Sequence, residues 1–328
     1  MAENVMRLKG QARRGLATLA LRYGVVIAIN LLGTVVLSRF VGPAVWGVFA
    51  VAQVVYMGSQ EILGRGAASY LIKKTEAPSS SDLKNAFAFQ HLLGLLSLVV
   101  AAALAFPAAR WYQEPSLAFL LVAAAIAAYG CAWRSIPVAL LERELDYFKV
   151  AIIEVFEALV FSGIAIAFAW KGHALPGLAI ATALRSILPT LLSYCFRQSR
   201  PALLYDRKAA AGMADFGFFI LLGSIFNIAI LFVPVIFVGK MVGSDALGEA
   251  RMAFSLYGNL LFFTAAVLRL SFSSYSRLAE YPGEMQLALR QNLRLLAALL
   301  CPAVALFAGL AALWVPPIFG PKWPKLPL

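Results

Sequence analysis

The chain reads as an all-α, polytopic integral membrane protein of about nine transmembrane helices. Three observations carry that reading. Of its 328 residues, 62% are hydrophobic and 13% charged, against about 45–50% and about 25% in soluble domains. The mean hydropathy of +0.81 supplies more apolar surface than one soluble core buries. The apolar residues also come in runs long enough to cross a bilayer as helices, which takes about 20 residues. None of these runs alternates apolar and polar positions as the strands of a membrane barrel do.

In chain order the runs are 16–38, 45–71, 85–109, 116–138, 150–170, 176–196, 213–238, 248–272 and 288–314. The connections between them are short and leave no room for a soluble domain. Residues 1–15, MAENVMRLKGQARRG, are basic and polar, without the short apolar core and small-residue cleavage site of a signal peptide. The first helix is therefore expected to direct insertion. Pro189, Pro234 and Pro302 fall inside runs and bend them, either as ordinary kinks or as hinges of a moving helix.

The formal charge is +12. With no soluble domain to present a basic patch, that charge belongs to loops facing anionic headgroups, and nucleic acid is not expected as a partner. Placing the N-terminus in the cytoplasm puts seventeen Lys and Arg on the inner side and seven on the outer side. Such a bias orients membrane proteins because basic loops stay cytoplasmic. Cys131, Cys195 and Cys301 lie scattered in apolar runs without metal-ligand spacing and read as small core residues. No cofactor is expected. His91, alone on an apolar face, reads as a satisfied core residue.

An internal repeat runs through the chain at a constant offset of 201 residues. Leu21–Tyr56 matches Leu222–Tyr257. Arg39-Phe40-Val41-Gly42 corresponds to Lys240-Met241-Val242-Gly243, Gly47 to Gly248 and Tyr56 to Tyr257. The paired glycines, the basic residue before them and the tyrosine carry the signal. The glycines at 42 and 243 sit in tight turns, where the missing Cβ permits unusual backbone angles. The offset spans six helices, an even number, so the copies have parallel topology about an axis along the membrane normal. Two lobes with a cavity between them follow. The expected division is a basic cytoplasmic segment 1–15, a first six-helix lobe 16–196, a cytoplasmic linker 197–212 and three helices of a second, incomplete lobe at 213–328.

Four blocks then become recognisable. They are LGTVVLSRFVGPAVWGVFA (32–50), ALLERELDYFKVAIIEVFEALV (139–160), VGKMVGSDALGEARMA (238–253) and FGPKWPK (319–325). In order and spacing they resemble the polysaccharide biosynthesis (oligosaccharide flippase) family of the multidrug/oligosaccharidyl-lipid/polysaccharide exporter superfamily. The resemblance implies a MATE-like fold and alternating access between two lobes in a bacterial inner membrane. It implies a polyprenyl-diphosphate-linked oligosaccharide as cargo, for O-antigen, capsule or exopolysaccharide. Polysaccharide polymerase and glycosyltransferases are the implied partners. No bond is made or broken, so no enzyme is implied.

Ionised groups inside a bilayer are costly and face a cavity or a partner. Arg22, two turns into the first run, either snorkels to headgroups or lines the cavity and meets the lipid diphosphate. Glu61 and Arg65, four residues apart, share one helical face. They form either a structural ion pair or a site in which Arg65 contacts the cargo and Glu61 takes up a proton. Arg185, mid-helix, either lines the cavity or pairs with Glu154 or Glu157. Its planar fork suits phosphate. Arg269, near the repeat position of Arg65, either snorkels or supplies a pseudo-symmetric anion contact. Glu154 and Glu157, one turn apart, are either an ion-coupling site or partners of Lys149 and Arg185. Asp215 opens the seventh run, where a carboxylate favours a helix N-terminus.

Two other function classes have sequence tests. A drug exporter on the same scaffold would line its cavity with aromatics and a lone carboxylate in place of arginines. A membrane-embedded transferase would need a clustered acid–base or metal constellation, and no HxxxD, DxD or HExxH arrangement occurs.

Overall fold

The computed structural model describes residues 22–65, 67–74, 76–197, 223, 226, 228–230, 232–260 and 282–326. Arg269 and Asp215 lie outside these residues, as does all of the expected linker except Arg197. The described chain is helical. We number its elements α1 (Arg22–Phe40), α2 (Pro43–Arg65), α3 (Ala67–Lys73), α4 (Ser80–Tyr112), α5 (Ser116–Arg143), α6 (Tyr147–Trp170), α7 (Ala174–Phe196), α8 (Ile228–Met241), α9 (Ser244–Leu260), α10 (Pro282–Gly309) and α11 (Ala311–Phe319).

Among the described residues, six helices are long and apolar enough to cross a membrane: α1, α4, α5, α6, α7 and α10. The second expected span departs from the reading as one run over 45–71. It is two helices, α2 and α3, and α2 carries Gln53, Gln60 and Glu61 along it. Packing explains how that polarity is tolerated: α2 sits between α5 and α9, sheltered from lipid. The ninth run also breaks. Leu310 forms a turn, and α11 follows, carrying Pro316 and Pro317.

Local chemistry sets the helix ends. Ser79 and Asp82 form a reciprocal capping box at the start of α4, the Ser79 hydroxyl accepting from the Asp82 amide at 3.1 Å. Lys74 pairs with Asp82 at 2.6 Å and ties α3 to that start. This cap lets α4 begin at Ser80, five residues before the apolar run. The Asp146 carboxylate accepts from the Lys149 amide and starts α6. α5 likewise continues to Arg143, five residues past its expected end, and the Arg143 guanidinium donates to the Leu71, Lys74 and Glu76 carbonyls.

α5 is the hub of the first lobe, packed on α2, α4 and α7. Its buried side is a run of small residues: Ala123, Ala124, Ala125, Ala127, Ala128 and Ala132. Small side chains let helices approach closely where no hydrophobic effect drives them together. Of the cysteines, only Cys131 on this helix is buried. Cys195 and Cys301 are exposed, against the expectation of three core residues.

Among the described glycines, the tightest approach joins the two sequence copies. A Cβ on Gly47 would stand 1.9 Å from the Ser244 carbonyl oxygen, and a Cβ on Gly248 1.9 Å from that of Pro43. Pro43 and Ser244 are themselves 201 residues apart, so the contact reads the same from either side. Both obstacles are backbone, which side-chain rotation cannot relieve. Gly47→Ala and Gly248→Ala are each expected to cost about 1–3 kcal/mol through overpacking, read as a lowered unfolding temperature in detergent. Gly258→Ala, whose Cβ meets nothing within 4 Å, leaves that temperature unchanged or slightly raised.

Candidate functional site

Five charged side chains from α1, α5, α6 and α7 converge inside the first lobe. Glu157 on α6 lies at the centre. Its Oε2 accepts from Arg134 Nη1 at 2.6 Å, and its Oε1 accepts from Arg185 Nε at 3.2 Å, with Nη2 of Arg185 in ion-pair contact at 3.2 Å. The Tyr56 hydroxyl donates to the same Oε1 at 3.2 Å. Three hydrogen bonds and one further ion-pair contact thus fall on a carboxylate with about four lone-pair sites. One turn away Glu154 pairs with Arg22 at 3.2 Å.

Each member is held by its helix. Helical spacing puts Tyr56 and Gln60 of α2 on one face, and the Gln60 amide donates to the Tyr56 hydroxyl at 2.7 Å. Gln60 also donates to Cys131 Sγ at 3.3 Å, and Ser186 stands 3.4 Å from the same sulfur. Arg185 lies over two rings, with its guanidinium carbon 5.0 Å from the Tyr56 centroid and 4.8 Å from that of Phe161. Ring faces attract a guanidinium and restrict it to a plane. Phe161 is itself stacked on Phe49.

The cluster gathers its two most enclosed arginines, Arg134 and Arg185, on one carboxylate. Arg22, Arg134 and Arg185 face Glu154 and Glu157, and Glu142 stands within electrostatic reach of Arg22 and Glu154, so three basic groups meet three acidic ones among the described residues. Side-chain exposures are 12% for Glu157, 13% for Arg134 and 18% for Arg185. Nη1 of Arg185 and Nε of Arg134 make no hydrogen bond to another described residue, and neither is a fully enclosed atom. The arginines thus keep donors that water or an anion can reach. A guanidinium is suited to oxyanions because its donors form a planar fork.

The expected site residues fare differently. Arg185 pairs with Glu157, one of its two foreseen partners. Glu154 takes Arg22, where Lys149 or Arg185 was expected, while Lys149 pairs with Asp146 at 2.8 Å. Arg22 does not snorkel. Only 7% of it is exposed, and its guanidinium lies 4.6 Å from the Tyr23 ring centroid. Glu61 is half-buried on α2, next to Gln60. Arg65 closes α2, and its side chain, like all of Arg269, lies outside the described residues.

Arg134 is the member that sequence reasoning missed. Its place near the end of the run 116–138 counted it among the inner basic residues, yet the longer α5 carries it inside, opposite Glu157. Tyr56 was visible as a repeat position but not as a carboxylate partner. His91 lies against Tyr129, whose hydroxyl is 2.9 Å from Nδ1, and edge-on to Trp133. It is a packed side chain apart from the cluster. Among the described residues no group of three or more His, Cys, Asp or Glu is placed to hold a metal ion.

Comparison with known proteins bears on this arrangement. The chain is similar to a solved multidrug resistance MATE family transporter of the MOP superfamily in an inward-facing conformation. The TM-score is 0.67 at 16% identity, over 94% of this chain and 78% of that one. This likeness shows the fold. An uncharacterized membrane protein in the cps region of Klebsiella pneumoniae is 23% identical over 91% of this chain and 62% of its own. The teichuronic acid biosynthesis protein TuaB of Bacillus subtilis (strain 168) is 22% identical over 81% of this chain and 55% of its own. The chain thus spans less than two thirds of the length of these relatives. Residues 36–326 match the family model described as polysaccharide biosynthesis protein. That match takes in the whole cluster except Arg22, and the chain belongs to the polysaccharide biosynthesis protein family, as a multi-pass membrane protein of MATE-like fold.

Proposed function

We propose that the protein translocates a polyprenyl-diphosphate-linked oligosaccharide across the bacterial cytoplasmic membrane by alternating access between its lobes, for O-antigen, capsule or exopolysaccharide synthesis. The observation that carries this reading is the pair of arginines, Arg134 and Arg185, gathered on the single carboxylate of Glu157 inside the first lobe of a polysaccharide biosynthesis family member. A buried carboxylate alone would serve a cationic drug. An arginine pair with donors to spare serves a phosphate.

On this reading Arg134 and Arg185 hold the lipid diphosphate with the donors that Glu157 leaves over, and Arg22 adds field without direct contact. Arg65 and Arg269 are proposed as further contacts to the cargo. Glu157 keeps the two guanidiniums together while the site is empty. Glu61, Glu154 and Glu157 are the candidates for ion coupling. The N-terminus is cytoplasmic, and polymerase and glycosyltransferases act on either side of the step.

A strain lacking its own flippase, carrying the matching glycosyltransferases and polymerase, tests the proposal through export of polysaccharide. Rescue by the full protein is expected. Arg185→Ala and Arg134→Ala should each lower export by at least about tenfold, since a charge-assisted hydrogen bond contributes about 1.5–3 kcal/mol. Arg185→Lys, which keeps charge and loses the fork, should fall between. Full rescue by both alanine variants would remove the arginines from the site.

Glu157→Gln separates holding from binding. It leaves two guanidiniums without their counter-charge, and breaking a buried pair costs about 3–5 kcal/mol, so the unfolding temperature in detergent falls. The same change should raise affinity for inorganic diphosphate, measured by calorimetry on the purified protein, because the resident anion no longer competes. A loss of affinity would show that Glu157 organises the site without competing for it.

A further inference from the structure

At the end of the bundle bearing the turns at 41–42, 113–115 and 242–243, the two lobes are fastened by side chains that all reach backbone carbonyls. Arg39, in the last turn of α1, donates through Nη2 to Pro317 O at 2.7 Å and through Nε to Ile318 O at 3.1 Å. Those are carbonyls of the last turn of α11. Lys240, in the last turn of α8 and 201 residues on, donates to the Trp111 carbonyl in the last turn of α4 and sits 5.5 Å from the Trp111 ring centroid. In each copy a cation on the first helix thus grips the C-terminus of a helix in the other copy.

Three more contacts flank the pair. Tyr112 Oη donates to Ile236 O at 3.1 Å, Lys322 Nζ to Phe40 O at 2.7 Å, and the buried Trp323 Nε1 to Ser38 O at 3.0 Å. Carbonyls at a helix C-terminus lack intrahelical partners and carry partial negative charge, so a cation there satisfies both needs. No carboxylate takes part in any of the five contacts. Released, both cations and the carbonyls they grip at this exposed end can return to water, and no buried charge is stranded. The cluster around Glu157 differs in kind: its residues all belong to α1, α2, α5, α6 and α7, so motion between lobes leaves it whole.

We propose that Arg39 and Lys240, with Tyr112, Lys322 and Trp323 beside them, form a pseudo-symmetric latch that holds this end of the two lobes shut and must release as a unit when that end opens. The inference rests on the alternating-access reading above, and it names the contacts that set the balance between the two states. Because the acceptors are main-chain carbonyls, none of the latch's contacts has a titrating side-chain acceptor.

Double electron–electron resonance on the full protein in lipid nanodiscs tests it, with spin labels at Lys171 and Lys325, both exposed on opposite lobes at this end, in a background without native cysteines. The parent should show one short distance. Arg39→Ala and Lys240→Ala should each raise the ratio of long to short distances by about three- to tenfold. The double variant should raise it by about the product. Lys240→Arg, which keeps charge and donors, should match the parent. If the double variant does not fold, Trp323→Phe, which keeps a ring and removes one donor, is read in the same way. A distribution unchanged in the double variant, or in Trp323→Phe where that variant is used, overturns the latch. Export in the complementation assay keeps the two ideas apart: an unchanged distribution with intact export removes the latch and leaves the transport reading, while an opened latch in a protein whose parent never exports removes the transport reading and leaves the latch.

Discussion

The cost of holding charge inside a bilayer governs this molecule. A guanidinium placed there must be paired, shielded by rings or opened to water. Arg134 and Arg185 use all three means at once: a shared carboxylate at Glu157, the faces of Tyr56 and Phe161 around Arg185, and partial exposure. Those means come from α2, α5, α6 and α7 together. The polarity of α2, the small-residue face of α5 and the aromatic pair Phe49–Phe161 follow from the same need. A cluster so built is expensive unless it serves an anion that comes and goes.

A second constraint acts between the lobes. Lipid offers no hydrophobic drive for helix association, so the contact depends on close packing and on satisfied backbone groups. Gly47 against Gly248 provides the packing. Helix-end carbonyls gripped by Arg39, Lys240, Lys322 and Trp323 provide the rest. The inside of the first lobe is tied by charge to charge, and the joint between lobes by charge to carbonyl. The first kind of tie is costly to break and the second cheap.

Much of the architecture was legible because its causes are local. Apolar runs of bilayer length announce helices wherever they occur, and the repeat announces itself through glycines that no other residue replaces in a tight contact. The ends of helices were less legible. Ser79 with Asp82 extends α4 by a cap, and Arg143 secures the end of α5 through carbonyls of residues far away in sequence. The five residues so added to α5 leave Arg134 well before its end, and there it meets Glu157. Leu310 broke the ninth run without any proline at the break.

Sequence alone determined that this is a twice-repeated, all-helical membrane protein with intramembrane arginines and glutamates, because composition, periodicity and repeat spacing are properties of the chain itself. Which arginine meets which glutamate was decided only by tertiary structure. Glu157 and Arg134 are 23 residues apart, Glu157 and Tyr56 101, and such pairs form across helices whose rotation about their axes depends on every neighbour. A turn of one residue moves a side chain by about 100°, enough to send Arg22 to Glu154 and leave Lys149 to Asp146.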